Sequence, residues 1–246
     1  MLDLHGRVAL VAGGGAGIGL EISRRLADLG ASLALSYRTS REAAESTARS
    51  LAVKCSVHHA DLLNVQDCDV LVESVVSEHG RLDVVVNCVG VTRFIPFEDL
   101  ASVTEDVWDE ILGVNVKAAF FLSRAAGQWM RDRGEGGVIV HVSSVAGLIT
   151  AGSSLPYAVA KAAEIHLTRG LATALAPAVR VNCVAPATVA TRWWDQNQPG
   201  LERARNASRF KRLATAEDVA DATVLLVTNE SMSGQTLVVD LANMMH

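Results

Sequence analysis

The stretch Arg7-Val8-Ala9-Leu10-Val11-Ala12-Gly13-Gly14-Gly15-Ala16-Gly17-Ile18-Gly19 joins three kinds of sequence. Arg7–Ala12 is an almost wholly apolar run, as expected of a strand covered on both faces in a parallel sheet. The glycines after it permit positive φ, let a backbone approach a ligand, and allow a helix to pack tightly on the strand. From Ile18 to Leu29 the apolar residues recur at helical spacing, and Gly30 closes the run. A strand, a glycine turn and a helix in that order offer free N–H groups and a positive helix end to an anion. That is the context in which a dinucleotide pyrophosphate is held.

The rest of the chain repeats the alternation. Strands are expected at Ser32–Ser36, Lys54–His58, Val84–Cys88, Val138–Val142, Val179–Val184 and Thr236–Val239. Between them lie helical patterns at Arg41–Leu51, Val65–His79 (closed by Gly80), about Thr104 to Arg131, Tyr157–Ala176 and Ala216–Val227. Alternating β and α units predict a doubly wound, Rossmann-like α/β fold: a parallel sheet of about seven strands with helices on both faces. No repeat, low-complexity tract or linker interrupts residues 1–246, which read as a single domain.

Composition narrows the function. The 246 residues carry a net charge of −5, so there is no basic footprint for nucleic acid. No apolar run reaches transmembrane length, and Met1–Gly6 lacks the basic start and apolar core of a signal peptide. Cys55, Cys68, Cys88 and Cys183 form no C-x-x-C pair and read as small hydrophobes in a reducing compartment, with no metal site expected. A cytoplasmic protein is the expectation.

The second strand ends in Ser36-Tyr37-Arg38-Thr39-Ser40. An acid at this tip would bind the ribose 2′-hydroxyl of NAD and repel a 2′-phosphate. No acid is present, and Arg38 suits a 2′-phosphate, so NADP(H) is expected in preference to NAD(H). A solvated loop arginine is the plainer alternative.

Tyr157 and Lys161 lie four apart, hence on one helical face, and the fifth strand ends in Ser143-Ser144. Carboxyl ends of parallel strands face the cofactor crevice, so a serine hydroxyl and the helical pair can meet there. Reducing a carbonyl needs a hydride on carbon and a proton on oxygen. Tyrosine can give that proton, and a nearby ammonium stabilises the phenolate it leaves. Lys161 fits that role and could also hold ribose hydroxyls, while Ser144 would hydrogen-bond the substrate oxygen.

Gly13-x3-Gly17-Ile18-Gly19, Asn87-Cys88-Val89-Gly90, Ser144, Tyr157-x3-Lys161 and Asn182-x3-Pro186 together resemble the short-chain dehydrogenase/reductase family over nearly the whole chain, especially its 3-oxoacyl-carrier-protein reductase-like members. The resemblance implies a catalytic set of Asn115, Ser144, Tyr157 and Lys161, with Asn115 holding a water in a proton relay. Ser144 stands at the family's usual distance before the tyrosine, whereas Ser143 is one residue too far. The cofactor would be held by Gly13, Gly15, Gly17, Ile18 and Gly19, and by Tyr37 and Arg38 at the second strand. Asp61 and Leu62 would hold the adenine, although Asp61 equally suits a turn or helix cap. Asn87 would brace the sheet, Gly90 would pass beside the cofactor, and Pro186, Val189 and Thr191 would hold the nicotinamide end along with Tyr157 and Lys161. The sequence departs from the pattern in places: Ala12 replaces a threonine, Cys88 and Val89 differ from the family's N-N-A-G, Ala187 replaces a glycine, and Leu241-Ala242-Asn243 stands where a pair of glycines is usual.

Substrate contacts are expected beside Thr92–Phe97 and in a lid over 191–210, with Phe94, Trp193, Trp194 and Phe210 as candidates for the pocket. The expected activity is NADP(H)-dependent interconversion of a carbonyl and an alcohol on a small molecule. A 3-oxoacyl-carrier-protein reductase, using Arg131, Arg133 and Arg169 for a protein partner, and a non-catalytic NADP(H)-binding regulator are the alternatives. The resemblance also implies a homodimer or homotetramer.

Overall fold

The computed structural model describes residues 3–243. Seven strands form one parallel sheet in the order β3-β2-β1-β4-β5-β6-β7. They are β1 (Val8–Ala12), β2 (Ser32–Tyr37), β3 (Cys55–His59), β4 (Val84–Asn87), β5 (Gly137–Val142), β6 (Val179–Pro186) and β7 (Thr236–Val239). The reason lies in the strand chemistry. In β1 all five residues are buried, Ala9 and Val11 on one face and Val8, Leu10 and Ala12 on the other, so both faces need helices. Helices α1 (Gly17–Asp28), α2 (Arg41–Ser50) and α8 (Ala216–Thr228) cover the first face. Helices α3 (Val65–His79), α5 (Ala118–Arg133) and α6 (Leu155–Leu175) cover the second. The doubly wound α/β architecture read from the sequence is the observed one.

Chain order reverses between β1 and β4, which lie side by side although β2 and β3 intervene in sequence. At such a switch point the connections leave in opposite directions and open a crevice beyond the strand ends. Gly13, after β1, and Cys88, after β4, meet there: a Cβ on Gly13 would stand 3.3 Å from the Cys88 carbonyl oxygen.

Two regions differ from expectation. The long helix expected from Thr104 to Arg131 is broken into α4 (Glu105–Leu112), a π-helical turn (Gly113–Lys117) and α5. The lid holds a short helix, α7 (Gln198–Ala207), capped by Asn197, whose side chain accepts from the Gly200 N–H. Its polar, arginine-rich surface and Pro199-Gly200 start gave no apolar period to read. Helix α6 also begins two residues before Tyr157, where Ser154 accepts from the Tyr157 N–H and Pro156 occupies the first turn.

Candidate active site

The glycine turn is tied down by backbone bonds. Gly13 N–H donates to the Ser36 carbonyl at 3.1 Å, and Cys88 N–H donates to the Ala12 carbonyl at 3.0 Å. Both continue the ladders of β1 with β2 and β4 and do not depend on the side chain at Ala12. Gly13 takes φ +77°, a conformation costly for other residues. Helix α1 starts from Ala16 with no side-chain cap and no acid in its first turn, so its leading N–H groups face the crevice unclaimed.

A cavity of about 620 Å³ opens from this turn, lined by Gly13, Gly17 and Ile18 at one end and by Ser144, Tyr157 and Lys161 at the other. Pro186, Val189 and Thr191 lie along its wall. A second cavity of about 250 Å³ adjoins it and contains Tyr37, Arg38, Asp61 and Leu62. Gly13, Cys88, Val89 and Gly90 border both, so the two form one crevice across the switch point. Its length, the free helix end and the glycines at its waist fit an extended dinucleotide.

Not every expected residue reaches the cavities. Gly15 packs instead against Ala44 of α2, and Gly19 against the Gly13 carbonyl. Asn87 is buried behind the wall, its Oδ1 accepting from Val89 N–H at 3.3 Å. Asp61 lines the second cavity, and its Oδ1 accepts from Leu63 N–H at 3.1 Å, as a turn aspartate does. Arg38 is exposed and makes no hydrogen bond or ion pair among the described residues. Trp193 and Trp194 line the large cavity, and Phe94 packs on Trp194 with ring centroids 5.3 Å apart. Phe210 does not line it and stands 62 % exposed. An isolated bridge between Val189 and Ala214 ties the two ends of the lid together.

At the chemical end, Ser144 caps a short 3₁₀ turn, its hydroxyl accepting from Ala146 N–H at 3.1 Å and donating to the Pro186 carbonyl at 3.5 Å, near enough to the Tyr157 phenol to pull it slightly down. Ser143 spends its proton on the Lys161 carbonyl at 3.0 Å, so it is a structural neighbour. Lys161 Nζ lies 5.8 Å from the Tyr157 ring centroid and donates to the Val142 carbonyl at 3.1 Å and to Glu164 Oε2 at 2.8 Å. Asn115 sits in the π turn. Its Nδ2 donates to Ile111 at 2.8 Å and Val91 at 2.9 Å, while its buried Oδ1 has no partner among the described residues. A π turn inserts one residue and redirects side chains, and such turns recur at functional sites.

At Tyr157 burial outweighs the expected pull of the Lys161 ammonium. Part of the Tyr157 ring faces the cavity, yet its surroundings are dense enough that burial pushes the phenol above its ordinary range; the Lys161 ammonium pulls down without cancelling this. Burial also works against the ammonium, but Glu164 and Tyr157 together hold it above the usual lysine value. Glu164 was missed in the sequence because a glutamate inside an amphipathic helix reads as surface. Only the register of α6 against the sheet, which buries position 164, reveals it. Burial pushes the Cys88 thiol up to about 12, so it stays protonated beside the cavity.

Comparison with known proteins agrees with this geometry. Residues 13–241 match the family model described as enoyl-(acyl carrier protein) reductase. The chain is 42% identical over 236 residues to "Granaticin polyketide synthase putative ketoacyl reductase 2" of Streptomyces violaceoruber, covering 95% of this chain and 94% of that one. It is 35% identical over 248 residues to the human dehydrogenase/reductase SDR family member 4, covering 96% and 87%. Among solved structures, a short-chain dehydrogenase/reductase from Serratia marcescens superposes with a TM-score of 0.88 at 30% identity, covering 97% and 98%. A dehydrogenase/reductase from Sinorhizobium meliloti gives 0.89 at 28%, covering 98% and 96%.

Proposed function

The chain belongs to the short-chain dehydrogenase/reductase family, and we propose that it is an NADP(H)-dependent oxidoreductase that interconverts a ketone and an alcohol, with Tyr157 as general acid/base. The observation that carries this reading is the convergence of Ser144, Tyr157 and Lys161 on a cavity that begins at the glycine turn. The nicotinamide cofactor, when bound, supplies or accepts the hydride. Gly13, Gly17 and the α1 N-terminus would hold its pyrophosphate, and Arg38 its 2′-phosphate. Tyr157 gives its phenolic proton to the carbonyl oxygen, Ser144 steadies that oxygen, and Lys161 stabilises the phenolate left behind. Asn115, with its free Oδ1 beside Gly90, would hold a water leading from Lys161. Residues 191–210 act as the lid of a single domain, and Trp193 and Trp194 place an apolar substrate.

The likeness to a ketoacyl reductase favours one further reading, the reduction of a 3-oxoacyl thioester on a carrier protein. Against it, Arg133 is already paired with Glu135 at 3.0 Å and stacked on Trp129. A homodimer or homotetramer belongs to the same proposal, with Trp108 and Phe120 as exposed apolar groups that a second copy would cover; sedimentation measures it. The main test is turnover of a panel of ketones and 3-oxoacyl thioesters with NADPH and with NADH. Oxidation of NADPH by a ketone supports the reading. A folded protein that binds NADPH and turns over no carbonyl would favour a regulator.

A further inference from the structure

Glu164 is completely buried one helical turn after Lys161. Taking a carboxylate out of water is unfavourable unless it is paired, and an apolar side chain would fill the same space at less cost. Among the described residues the group hydrogen-bonded to its carboxylate is the ammonium of Lys161, which donates to Oε2 at 2.8 Å. Ser143 lies close enough to help, but its proton is given to the Lys161 carbonyl, and Glu164 Oε1 has no partner among the described residues. The ammonium has three N–H bonds. Glu164 and Val142 take two from behind, and one is left for the cavity that Lys161 lines.

The groups around this pair leave its charges dominant. Tyr157 stands beside it on α6, His141 on β5, Cys183 on β6, Cys88 beyond β4 and Asn115 in the π turn. Burial holds His141 neutral down to about 4 and the two thiols protonated up to about 12. Burial pushes the Glu164 carboxyl up while the Lys161 ammonium bonded to it pulls it back down, and this pair stands at close range to Tyr157.

We propose that Glu164 is a positioning residue of the catalytic centre, anchoring the Lys161 ammonium from behind and offsetting its charge where it acts on Tyr157. The proposal rests on the reading of Tyr157 as the proton donor. In reduction the Tyr157 O–H bond breaks as the nicotinamide hydride reaches the carbonyl carbon, and the proton goes to the carbonyl oxygen; Glu164 neither gives nor takes one. A lone ammonium would favour phenolate. Burial is the larger cause that keeps the phenol protonated to higher pH, the carboxylate behind the ammonium adds to it, and Lys161 pulls the other way. The centre is thereby biased towards carbonyl reduction near neutral pH.

Glu164→Gln keeps the shape and an acceptor for Lys161 while removing the charge. The pH dependence of kcat, in reduction and in alcohol oxidation, should move to lower pH by about one unit in both directions. An unchanged profile overturns the proposal, even if the protein melts earlier. Thermal unfolding gives a readout independent of turnover. Lys161→Met strands a buried carboxylate, so it should melt lower than the Lys161→Met/Glu164→Leu double variant; equal melting would contradict the pairing. Tyr157→Phe separates the two readings. If it retains activity, the assignment of Tyr157 fails; if it is inactive and Glu164→Gln keeps the parent profile, only the role of Glu164 fails.

Discussion

Asn115 and Gly90 are in such close contact that a Cβ on the glycine would stand 2.9 Å from Asn115 Oδ1 and 3.7 Å from Lys161 Nζ. The amide cannot easily retreat, because its Nδ2 is held by two carbonyls and its backbone by the π turn. Gly90→Ala should therefore slow turnover about tenfold or more, a misplacement effect, while costing about 1 kcal/mol of stability or less. Paired kinetics and urea unfolding check this. Equal turnover in the variant would show that the Asn115 carbonyl is not used.

The second prediction concerns the phosphate end. Arg38 has no partner among the described residues and no acid shares its strand tip. Arg38→Asp should weaken NADPH binding at least tenfold, since a charge-assisted bond is lost and a repulsion gained, and leave NADH binding unchanged or improved. Cofactor fluorescence titrations measure both, and equal losses for the two nucleotides would remove Arg38 from the specificity site.

His141 makes stability depend on pH. It is fully buried between Ser123 (2.8 Å) and Thr168 (3.0 Å), and burial, with the Lys161 charge adding to it, lowers its pKa to about 4. In the unfolded chain it titrates near 6.5, so the unfolded state binds more protons between those values. Its contribution is complete above pH about 6.5 and is lost as pH falls towards 4, amounting to about 3 kcal/mol. Urea unfolding at pH 7 and pH 4.5 should show the loss, and His141→Gln should flatten it. A variant with the parent slope contradicts this.

At the C-terminal end, Leu241 and Ala242 adopt φ of 52° and 59°, where the family resemblance led us to expect glycines. The left-handed region costs a residue with a Cβ about 1 kcal/mol. Ala242→Gly should therefore stabilise the protein by up to about 1 kcal/mol, less the entropy glycine loses on folding. Thermal unfolding reads this directly, and destabilisation would mean that the Ala242 methyl makes a compensating contact.

The sheet was legible because its strands are apolar throughout and its glycine turn follows the first of them. Tyr157, Lys161 and Ser144 were legible through spacing, and the structure brings them to one cavity. What stayed hidden depends on contacts distant in sequence. The π turn at Gly113–Lys117 is rich in weak helix formers (Gly113, Val114, Asn115, Val116), but weak propensity does not distinguish a π turn from a frayed helix. Glu164 becomes a core residue only when α6 docks on β5 and β6. Phe210 was read as pocket-lining from its aromatic ring, but the lid turns it to solvent. Helix α7 has an apolar side of only Leu201, Ala204 and Ala207, too short and too small to read as a period.

The central claim is that Tyr157 delivers the proton. The direct measurement is the rate of NADPH oxidation with an accepted ketone by the parent chain and by Tyr157→Phe, beside NADPH binding to each. The account predicts that turnover falls by about 10²–10⁴-fold, the span of general acid catalysis, while NADPH still binds. Turnover within a few-fold of the parent would contradict it.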